Sequence, residues 1–293
     1  MGEPNFRFKA SHWVLSINLM INFNGKLTEQ SYQIENNRGF LYGDLVFETL
    51  RIIDGRICFW EDHYFRLISS MRIFRIDIPN HFTPDFFEKN IMNLHNIISK
   101  NDCSRVRISV FRNSVGKYRP ESNECKFLIS CENQDSKRIY LKKNKYIVDI
   151  FKEYYIDKQL ISSIKSNNRI INVIASIYAK ENFLDNCILL NNDKMVCEFI
   201  NANIFLIKDG CTITPDLKSG CLNGIMRKNI IRILKNNNVK ILERKINSYE
   251  LSDADEIFGS NSIQGIFSVT NYRKNVLKFE MTHKIVDLLN NSI

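Results

Sequence analysis

The sequence predicts an α/β (mixed α+β) protein of two domains, and three observations predict it. The 293 residues are enough for two hydrophobic cores. Hydrophobic residues make up 44% and charged residues 25%, the proportions of an ordinary globular chain. Segments with helical periodicity alternate with short apolar runs bounded by Asn-Gly and Asp-Gly turns, which are typical of strands. We therefore expect a cleft between two domains.

The first domain is predicted over residues 20–135. "MINFNGKL" carries the Asn-Gly turn of a tight hairpin, and "LVFETLRIIDGRICFW" reads as two strands joined at Asp54-Gly55. A helix follows from Glu61, and a second begins after Thr83, whose side chain can cap it ahead of a proline in the first turn. "SRVRISVFRN" and "ECKFLISCE" are predicted strands. The unit is thus a sheet with two helices.

A polar linker is predicted over 136–146 and a second, cofactor-binding domain over 147–293. "NCILLNNDKMVCEFINANIFLIKDGCTITPD" reads as a succession of short strands, and "GIMRKNIIRILKNN" as a helix opened by a glycine. "RIINVIASIYAKEN" is a predicted helix with one apolar face. That face carries Ile170, Val173, Ile174 and Ile177.

Residues 1–19 are interpreted as an extension of unknown role, because they lack a signal-peptide core and cleavage site. No apolar run has the length of a membrane span. The eight cysteines show neither a C-x-x-C pair nor zinc spacing, so we expect reduced thiols, no metal site and a cytoplasmic protein. The net charge of +9 leaves nucleic-acid binding as a remote alternative, because the charges form no dense basic block.

Two charged residues occupy positions that suggest chemistry. Lys165 lies among small polar residues in "SSIKSNNR", directly before a predicted helix. It is either a solvated surface lysine or a lysine whose restricted setting lowers its pKa enough to form a Schiff base. Glu198 lies in the apolar run "MVCEFINANIF". It is either an edge-strand glutamate that faces water or a carboxylate that pairs with the protonated ring nitrogen of a pyridine cofactor.

Three separate stretches could bind a phosphate group. A helix that begins after Gly224 presents the free backbone N–H groups of its first turn, including those of Ile225 and Met226. Ser260, Asn261 and Ser262, in "FGSNS", offer short donors of the kind that bind phosphate oxygens. Arg66, on the first long helix, could clamp phosphate oxygens. Each of these residues alone has an ordinary structural explanation, a plain turn or a surface charge.

Taken together, these segments resemble the class IV aminotransferases, the fold type IV pyridoxal-phosphate enzymes. The resemblance rests on "NRGFLYGDLVFETLRIIDGRICFWEDHYFRL", on "IKSNNRIINVIASIYAKENFLDNCILLNNDKMVCEFINANIFLIKDG" and on "TPDLKSGCLNGIMRKNIIRI". It runs from about Met20 to Val269, with the motifs in family order. The family includes branched-chain and D-amino-acid aminotransferases and aminodeoxychorismate lyase. It implies pyridoxal 5′-phosphate as cofactor, an active site in the interdomain cleft, and a homodimer.

The resemblance also implies roles for individual residues. Lys165 would be the catalytic residue, forming the Schiff base with the cofactor and then moving a proton. Glu198 would pair with the ring nitrogen. The cofactor phosphate would be bound by Arg66, by the turn at Gly224-Ile225-Met226 and by Ser262. Three further residues would contact the substrate: Tyr42, Phe47 and Arg107.

The reaction within the family is left open by two departures. Branched-chain aminotransferases commonly carry a tyrosine a few residues beyond the lysine and a glutamate before the "N-x-F" asparagine, where this chain has Arg169 and Ala202. "K-x-x-N-R" and "NGIMR" are closer to aminodeoxychorismate lyase, although Arg169 could also be a helix-surface charge. We expect an aminotransferase that moves the amino group of a branched-chain or similar amino acid to 2-oxoglutarate. The alternative is the lyase, which releases pyruvate and 4-aminobenzoate.

Overall fold

The computed structural model describes residues 20–28, 36–134, 140–141 and 145–291. The extension predicted over residues 1–19 lies outside this part of the chain, as do positions 136–139 and 142–144 of the predicted linker. The described chain forms two β-sheets with α-helices packed against them, so the predicted mixed α/β architecture is confirmed. None of its helices combines the length and apolar character that crossing a membrane requires.

The first sheet has six strands in the order β2-β1-β6-β5-β3-β4, and all its pairs are antiparallel. Its strands are β1 (Ile21–Phe23), β2 (Lys26–Thr28), β3 (Leu45–Ile53), β4 (Arg56–Ile57), β5 (Ser104–Arg112) and β6 (Cys125–Asn133). Both predicted hairpins are present, with left-handed residues at Asn24-Gly25 and Asp54-Gly55. Strand alternation gives each long strand one face toward the helices and one toward the second sheet.

Three helices accompany the first sheet: α1 (Arg38–Leu41), α2 (Trp60–Ile73) and α3 (Pro84–Ile98). The predicted cap of α3 is confirmed, since the Thr83 hydroxyl accepts a hydrogen bond from the Phe86 N–H. Buried side chains of α2 and α3, such as Leu67 and Phe87, pack on one face of β3 and β5. This packing fixes α2 along the sheet, with one end near the second sheet.

The second sheet contains eleven strands, nine of which follow the order β17-β16-β8-β9-β10-β11-β14-β15-β7, while β12 pairs with β11 and β13. They are β7 (Tyr140–Leu141), β8 (Ile147–Ile150), β9 (Asn186–Leu190), β10 (Val196–Phe199), β11 (Asn203–Lys208), β12 (Cys211–Thr214), β13 (Ile241–Glu243), β14 (Glu256–Asn261), β15 (Gly265–Ser268), β16 (Asn271–Tyr272) and β17 (Asn275–Val276). Strand β7 lies within the predicted linker and pairs with β15.

Four helices accompany the second sheet: α4 (Ile170–Glu181), α5 (Ile225–Asn236), α6 (Glu250–Asp253) and α7 (Glu280–Asn290). The predicted helix at α4 is confirmed, but its apolar face is largely exposed. Ile170, Val173 and Ile177 are 67%, 52% and 53% accessible, whereas Ala175 and Ala179 are the buried residues. The two alanines approach the sheet because small side chains leave room for close packing. Ile171 and Ile174 pack partly against the same core, whereas Ile170, Val173 and Ile177 face outward.

Backbone hydrogen bonds and ion pairs join the two sheets. The Phe47 N–H on β3 donates to the Lys165 carbonyl at 2.8 Å. On the helix side, Asp62 of α2 accepts hydrogen bonds from Lys228 at 2.6 Å and from Asn229 at 3.0 Å, both on α5. The first contact holds the segment around Lys165 against β3, and the other two hold the first turn of α5 against α2.

Candidate active site

A cavity of about 430 Å³ lies between the two sheets, within the size range of small-molecule sites. Ten residues were assigned catalytic, cofactor-binding or substrate-binding roles by the family resemblance. Nine of them line the cavity: Phe47, Arg66, Arg107, Lys165, Glu198, Gly224, Ile225, Met226 and Ser262. The tenth, Tyr42, does not line it. Its ring centroid lies 5.7 Å from that of Tyr118 and its face is covered by the Arg38 guanidinium. A role for Tyr42 in substrate binding stays a prediction.

Lys165 lies partly buried in the cavity wall, with its Nζ 4.7 Å from the centre of the Phe47 ring. Burial, together with the positive charges of Arg66 and Arg169, lowers the pKa of this amine from 10.5 to about 7. Glu48 opposes the shift without cancelling it. A lysine in this setting has an appreciable neutral fraction near pH 7, so its amine can act as a nucleophile or a base.

Glu198 is buried on β10, with 5% of its surface exposed. The strand lies between β9 and β11, so the alternative of an edge-strand glutamate facing water is wrong. One carboxylate oxygen, Oε2, accepts a hydrogen bond from the Leu222 N–H at 2.8 Å. Burial raises the pKa of Glu198, while Arg169 and the Leu222 N–H lower it. A buried carboxylate of this kind can share a proton with a ring nitrogen.

The first turn of α5 opens into the cavity without a capping side chain. The N–H groups at such a helix start have no partner within the helix, and the helix dipole favours an anion there. Asn203 fixes this turn, because its side-chain N–H donates to the Leu222 carbonyl at 2.8 Å. Gly224 fits against it so closely that an added Cβ would lie 1.9 Å from the Asn203 Oδ1.

Two further polar groups lie beside this helix start. The Ser260 side chain lines the cavity with Ser262, and its buried hydroxyl has no hydrogen-bond partner among the described residues. The Arg66 guanidinium lies at the cavity wall and donates from Nη1 to the Asn223 carbonyl at 2.8 Å. The uncapped helix, the unpartnered hydroxyl and the arginine together fit the phosphate end of pyridoxal phosphate.

The cavity wall contributed by the first sheet is rich in arginine. Phe47 pairs with Ser109 and Thr49 with Arg107 across β3 and β5, which places their side chains on the face toward the second sheet. The Arg107 guanidinium stacks on the Phe47 ring at 3.6 Å and donates to the Asn167 side chain at 2.9 Å. Burial lowers the pKa of Arg107 to about 10. This wall can bind a substrate carboxylate.

Arg169 also lies in the cavity wall, so the alternative of a helix-surface charge is wrong. It precedes α4 and donates from Nη2 to the Ile164 carbonyl. Neither Arg107 nor Arg169 forms an ion pair with a carboxylate in the described part of the chain. Both are therefore available to an anionic ligand.

Sequence reasoning missed Glu48, His63 and Asn203. Glu48 and His63 are buried between β3 and α2 and contact Arg66 directly or through each other. Glu48 is 15 residues from His63 and 18 from Arg66 along the chain, so no local pattern reveals these contacts. Ser260 and Asn261, named with Ser262 in the sequence as possible phosphate donors, also line the cavity.

Comparison with known proteins agrees with this geometry. The amino-transferase class IV family matches residues 45–272. A Methanocaldococcus jannaschii protein provisionally named a branched-chain-amino-acid aminotransferase is 28% identical over 252 residues, 82% of this chain and 83% of its own. The aminodeoxychorismate lyase of Bacillus subtilis is 27% identical over 258 residues, 86% of each chain. The branched-chain amino acid aminotransferase of Thermobaculum terrenum in its pyridoxal-phosphate form superposes with a TM-score of 0.83 at 20% identity, over 94% of both chains.

This chain belongs to the class IV aminotransferases and has the fold of the fold type IV pyridoxal-phosphate enzymes. Enzymes of the family use pyridoxal 5′-phosphate, and the cavity has a group that fits each part of it: an amine of lowered pKa, a buried carboxylate and an uncapped helix start. The sequence-based expectations of family, enzyme class and cofactor are therefore confirmed. Residue roles and the particular reaction are proposals.

Proposed function

We propose that the enzyme acts on an amino compound with two carboxylates and that its reaction is the release of pyruvate from aminodeoxychorismate. One observation carries this: Arg107 and Arg169 line the cavity, and neither forms an ion pair with a carboxylate among the described residues. A cation withdrawn from water is costly unless an anion pairs with it. Two arginines match the two carboxylates of this substrate.

The character of the aromatic wall also supports the lyase. The Phe47 ring, which could otherwise contact an aliphatic side chain, has the Arg107 guanidinium and the Lys165 amine over it. A branched aliphatic side chain gains little from a wall covered by cations, because its binding depends on displacing water from apolar surface. A ring that carries carboxylates gains charge-assisted hydrogen bonds there.

The residues would divide the reaction as follows. Lys165 holds the cofactor covalently between turnovers, and its freed amine takes the proton from the substrate carbon that bears the amino group. Bound pyridoxal phosphate supplies an electron sink for the pair left on that carbon, and Glu198 keeps the sink effective by holding a proton at the ring nitrogen. The C–O bond to the enolpyruvyl group then breaks. The ring becomes aromatic as 4-aminobenzoate, and the enolpyruvate gains a proton to become pyruvate.

A second candidate is transfer of an amino group from a branched-chain or similar amino acid to 2-oxoglutarate. It is favoured by apolar lining residues on the second-sheet side, Ile200, Ala202 and Ile263, and by the name of the M. jannaschii relative. In this reaction the arginines would bind the two carboxylates of 2-oxoglutarate. The aliphatic side chain would lie against the opposite wall.

One experiment separates the two reactions. Purified enzyme with pyridoxal phosphate is incubated either with aminodeoxychorismate or with L-leucine and 2-oxoglutarate, and products are measured by chromatography. If the enzyme is the lyase, the first mixture should give equal amounts of 4-aminobenzoate and pyruvate, and the second should give little glutamate. Glutamate formation at the faster rate would overturn the lyase proposal. Lys165→Ala, which removes the reacting amine, is the control for both.

We also propose that the enzyme is a homodimer. The exposed stripe on α4 formed by Ile170, Val173 and Ile177 is apolar, and exposed Phe40 and Ile161 line a depression with Ile170. Burial of such side chains against a second copy would be favourable, since each apolar side chain removed from water contributes about 1.5–3 kcal/mol.

We further propose that the enzyme works in a reducing cytoplasm. All eight cysteines are free thiols, which fits a reducing compartment.

A further inference from the structure

Behind Arg66 lies a buried carboxylate, that of Glu48, which is not among the residues lining the cavity. Glu48, on the helix-facing side of β3, is 1% exposed. Its Oε1 accepts a hydrogen bond from the Arg66 Nε and its Oε2 one from the Arg66 Nη2, both at 2.6 Å. The two parallel bonds form a fork that fixes the plane of the guanidinium as well as its position.

His63, one turn before Arg66 on α2, completes the arrangement. Its Nδ1 lies 2.7 Å from the Glu48 Oε2, and the ring is fully buried. Burial lowers the pKa of His63, so the neutral ring is favoured, and only an N–H at Nδ1 can bond to a carboxylate. The Arg66 pair and His63 together hold the pKa of Glu48 at about 2 against the effect of burial. Glu48 therefore remains charged above that pH.

The fork determines which N–H groups of Arg66 are available. A guanidinium has five N–H donors. Two go to Glu48 and one goes to the Asn223 carbonyl, next to the start of α5. Two remain, in a plane set from behind by Glu48 and from the side by Asn223. A long, flexible arginine held by neither would have to lose its rotational freedom on binding an anion.

We propose that Glu48 and His63 are positioning residues for the cofactor phosphate: Glu48 holds the Arg66 guanidinium in its phosphate-binding orientation, and the His63 N–H holds Glu48. This rests on the proposed role of Arg66 in phosphate binding. Neither residue touches the cofactor. Their contribution is to bind the far side of Arg66, which leaves its two remaining N–H groups for the phosphate while the guanidinium is held next to Asn223, at the uncapped start of α5.

The test uses Glu48→Asp, which keeps the charge but shortens the side chain by one methylene, so that the fork cannot reach Arg66 in the same place. Two probes are titrated into the cofactor-free full-length enzyme by calorimetry. Pyridoxine 5′-phosphate carries the phosphate but lacks the aldehyde that reacts with Lys165, and pyridoxine lacks both. The proposal predicts that Glu48→Asp weakens the phosphate ester about tenfold to a hundredfold, the worth of one charge-assisted hydrogen bond, and leaves pyridoxine unchanged.

A matched control is Glu256→Asp. Glu256 is also a buried glutamate, 4% exposed, but it accepts its hydrogen bonds from the start of α7 at Met281 and Thr282, away from the cavity. Shortening it should lower the unfolding temperature without changing either affinity. If Glu48→Asp and Glu256→Asp change the affinity for pyridoxine 5′-phosphate equally, the effect is a general loss of stability and the proposal is wrong.

A double-mutant cycle with Arg66→Ala separates this inference from the phosphate site on which it rests. Arg66→Ala alone should weaken pyridoxine 5′-phosphate at least as much as Glu48→Asp, and adding Glu48→Asp to it should have no further effect. If Arg66→Ala leaves the affinity unchanged, the phosphate site itself is wrong. If Arg66→Ala weakens binding and Glu48→Asp does not, only the positioning role is wrong.

His63 provides variants that do not alter charge. His63→Asn can place a side-chain N–H near the position of Nδ1, whereas His63→Leu fills the space without a donor. The proposal predicts that His63→Leu weakens the phosphate ester by about threefold to tenfold and that His63→Asn restores most of the affinity. Equal loss in both variants, with pyridoxine binding unchanged, would show that the hydrogen bond to Glu48 is not what positions Arg66.

Discussion

The sharpest prediction for the cofactor-free enzyme concerns the pH at which Lys165 becomes reactive. Burial and neighbouring arginines lower the pKa of its amine from 10.5 to about 7. At pH 7 the neutral fraction of an ordinary lysine is about 3 in 10,000, and at a pKa of about 7 it is about one half, roughly a thousandfold more. Only the neutral amine attacks an electrophile. The rate at which Lys165 reacts should therefore rise as the pH is raised from 5 to 10, and it should reach half of its maximum near pH 7.

The assay is amine modification with a short pulse of an acylating reagent at each pH, followed by peptide mapping. The peptide that contains Lys165 should reach half of its maximal labelling rate near pH 7. Peptides that contain exposed lysines, such as Lys228 on α5, provide the reference within the same sample. A midpoint for Lys165 above about pH 9 would show that burial and the arginines do not lower the pKa of this amine.

The shift also has a consequence for stability. A lysine whose pKa is lower in the folded than in the unfolded protein binds fewer protons when folded. Between about pH 7 and 10.5 the unfolded chain therefore holds more protons, and the free energy of unfolding should rise with pH across that window. Lys165→Met should flatten this dependence, as measured by urea unfolding of the cofactor-free enzyme at several pH values.

Three further changes test other parts of the structure. Glu198→Gln should leave cofactor binding intact but slow single-turnover chemistry by about a hundredfold, about 2.7 kcal/mol of barrier; a rate within about twofold of wild type would remove Glu198 from the mechanism. Gly224→Ala should weaken binding of pyridoxine 5′-phosphate at least about tenfold, because the new Cβ would lie 1.9 Å from the Asn203 Oδ1; unchanged binding would show that the turn can shift freely. Val173→Glu with Ile177→Glu should convert a dimer to a monomer in sedimentation experiments while the fold is retained, and a dimer unaffected by both would place the interface elsewhere.

The local parts of the fold could be predicted because their causes are local. Asn-Gly and Asp-Gly turns need left-handed residues, and both hairpins form where these pairs occur. The cap at Thr83 follows from one side chain and one N–H three residues later. The short helices, and strands such as β7 and β16 that pair in parallel with distant strands, carry too little periodicity to be predicted.

Site residues could be predicted only where a short stretch of sequence marks them. Lys165, Glu198 and Gly224 were singled out by their local sequence setting and given roles by the family resemblance, and the cavity brings them together. The periodic face of α4 was found, but periodicity does not distinguish a face that packs on its own sheet from one left exposed. Glu48 was missed because its function depends on a contact with α2, and its sequence context is that of any strand residue.

The most direct test of the account is to find which lysine carries the cofactor. Holoenzyme is reduced with borohydride, digested, and analysed by mass spectrometry for the pyridoxyl group. The label is expected on Lys165 and should be absent from the Lys165→Ala variant. Stoichiometric label on any other lysine of the wild-type enzyme would contradict the assignment of the cavity between the two sheets as the active site.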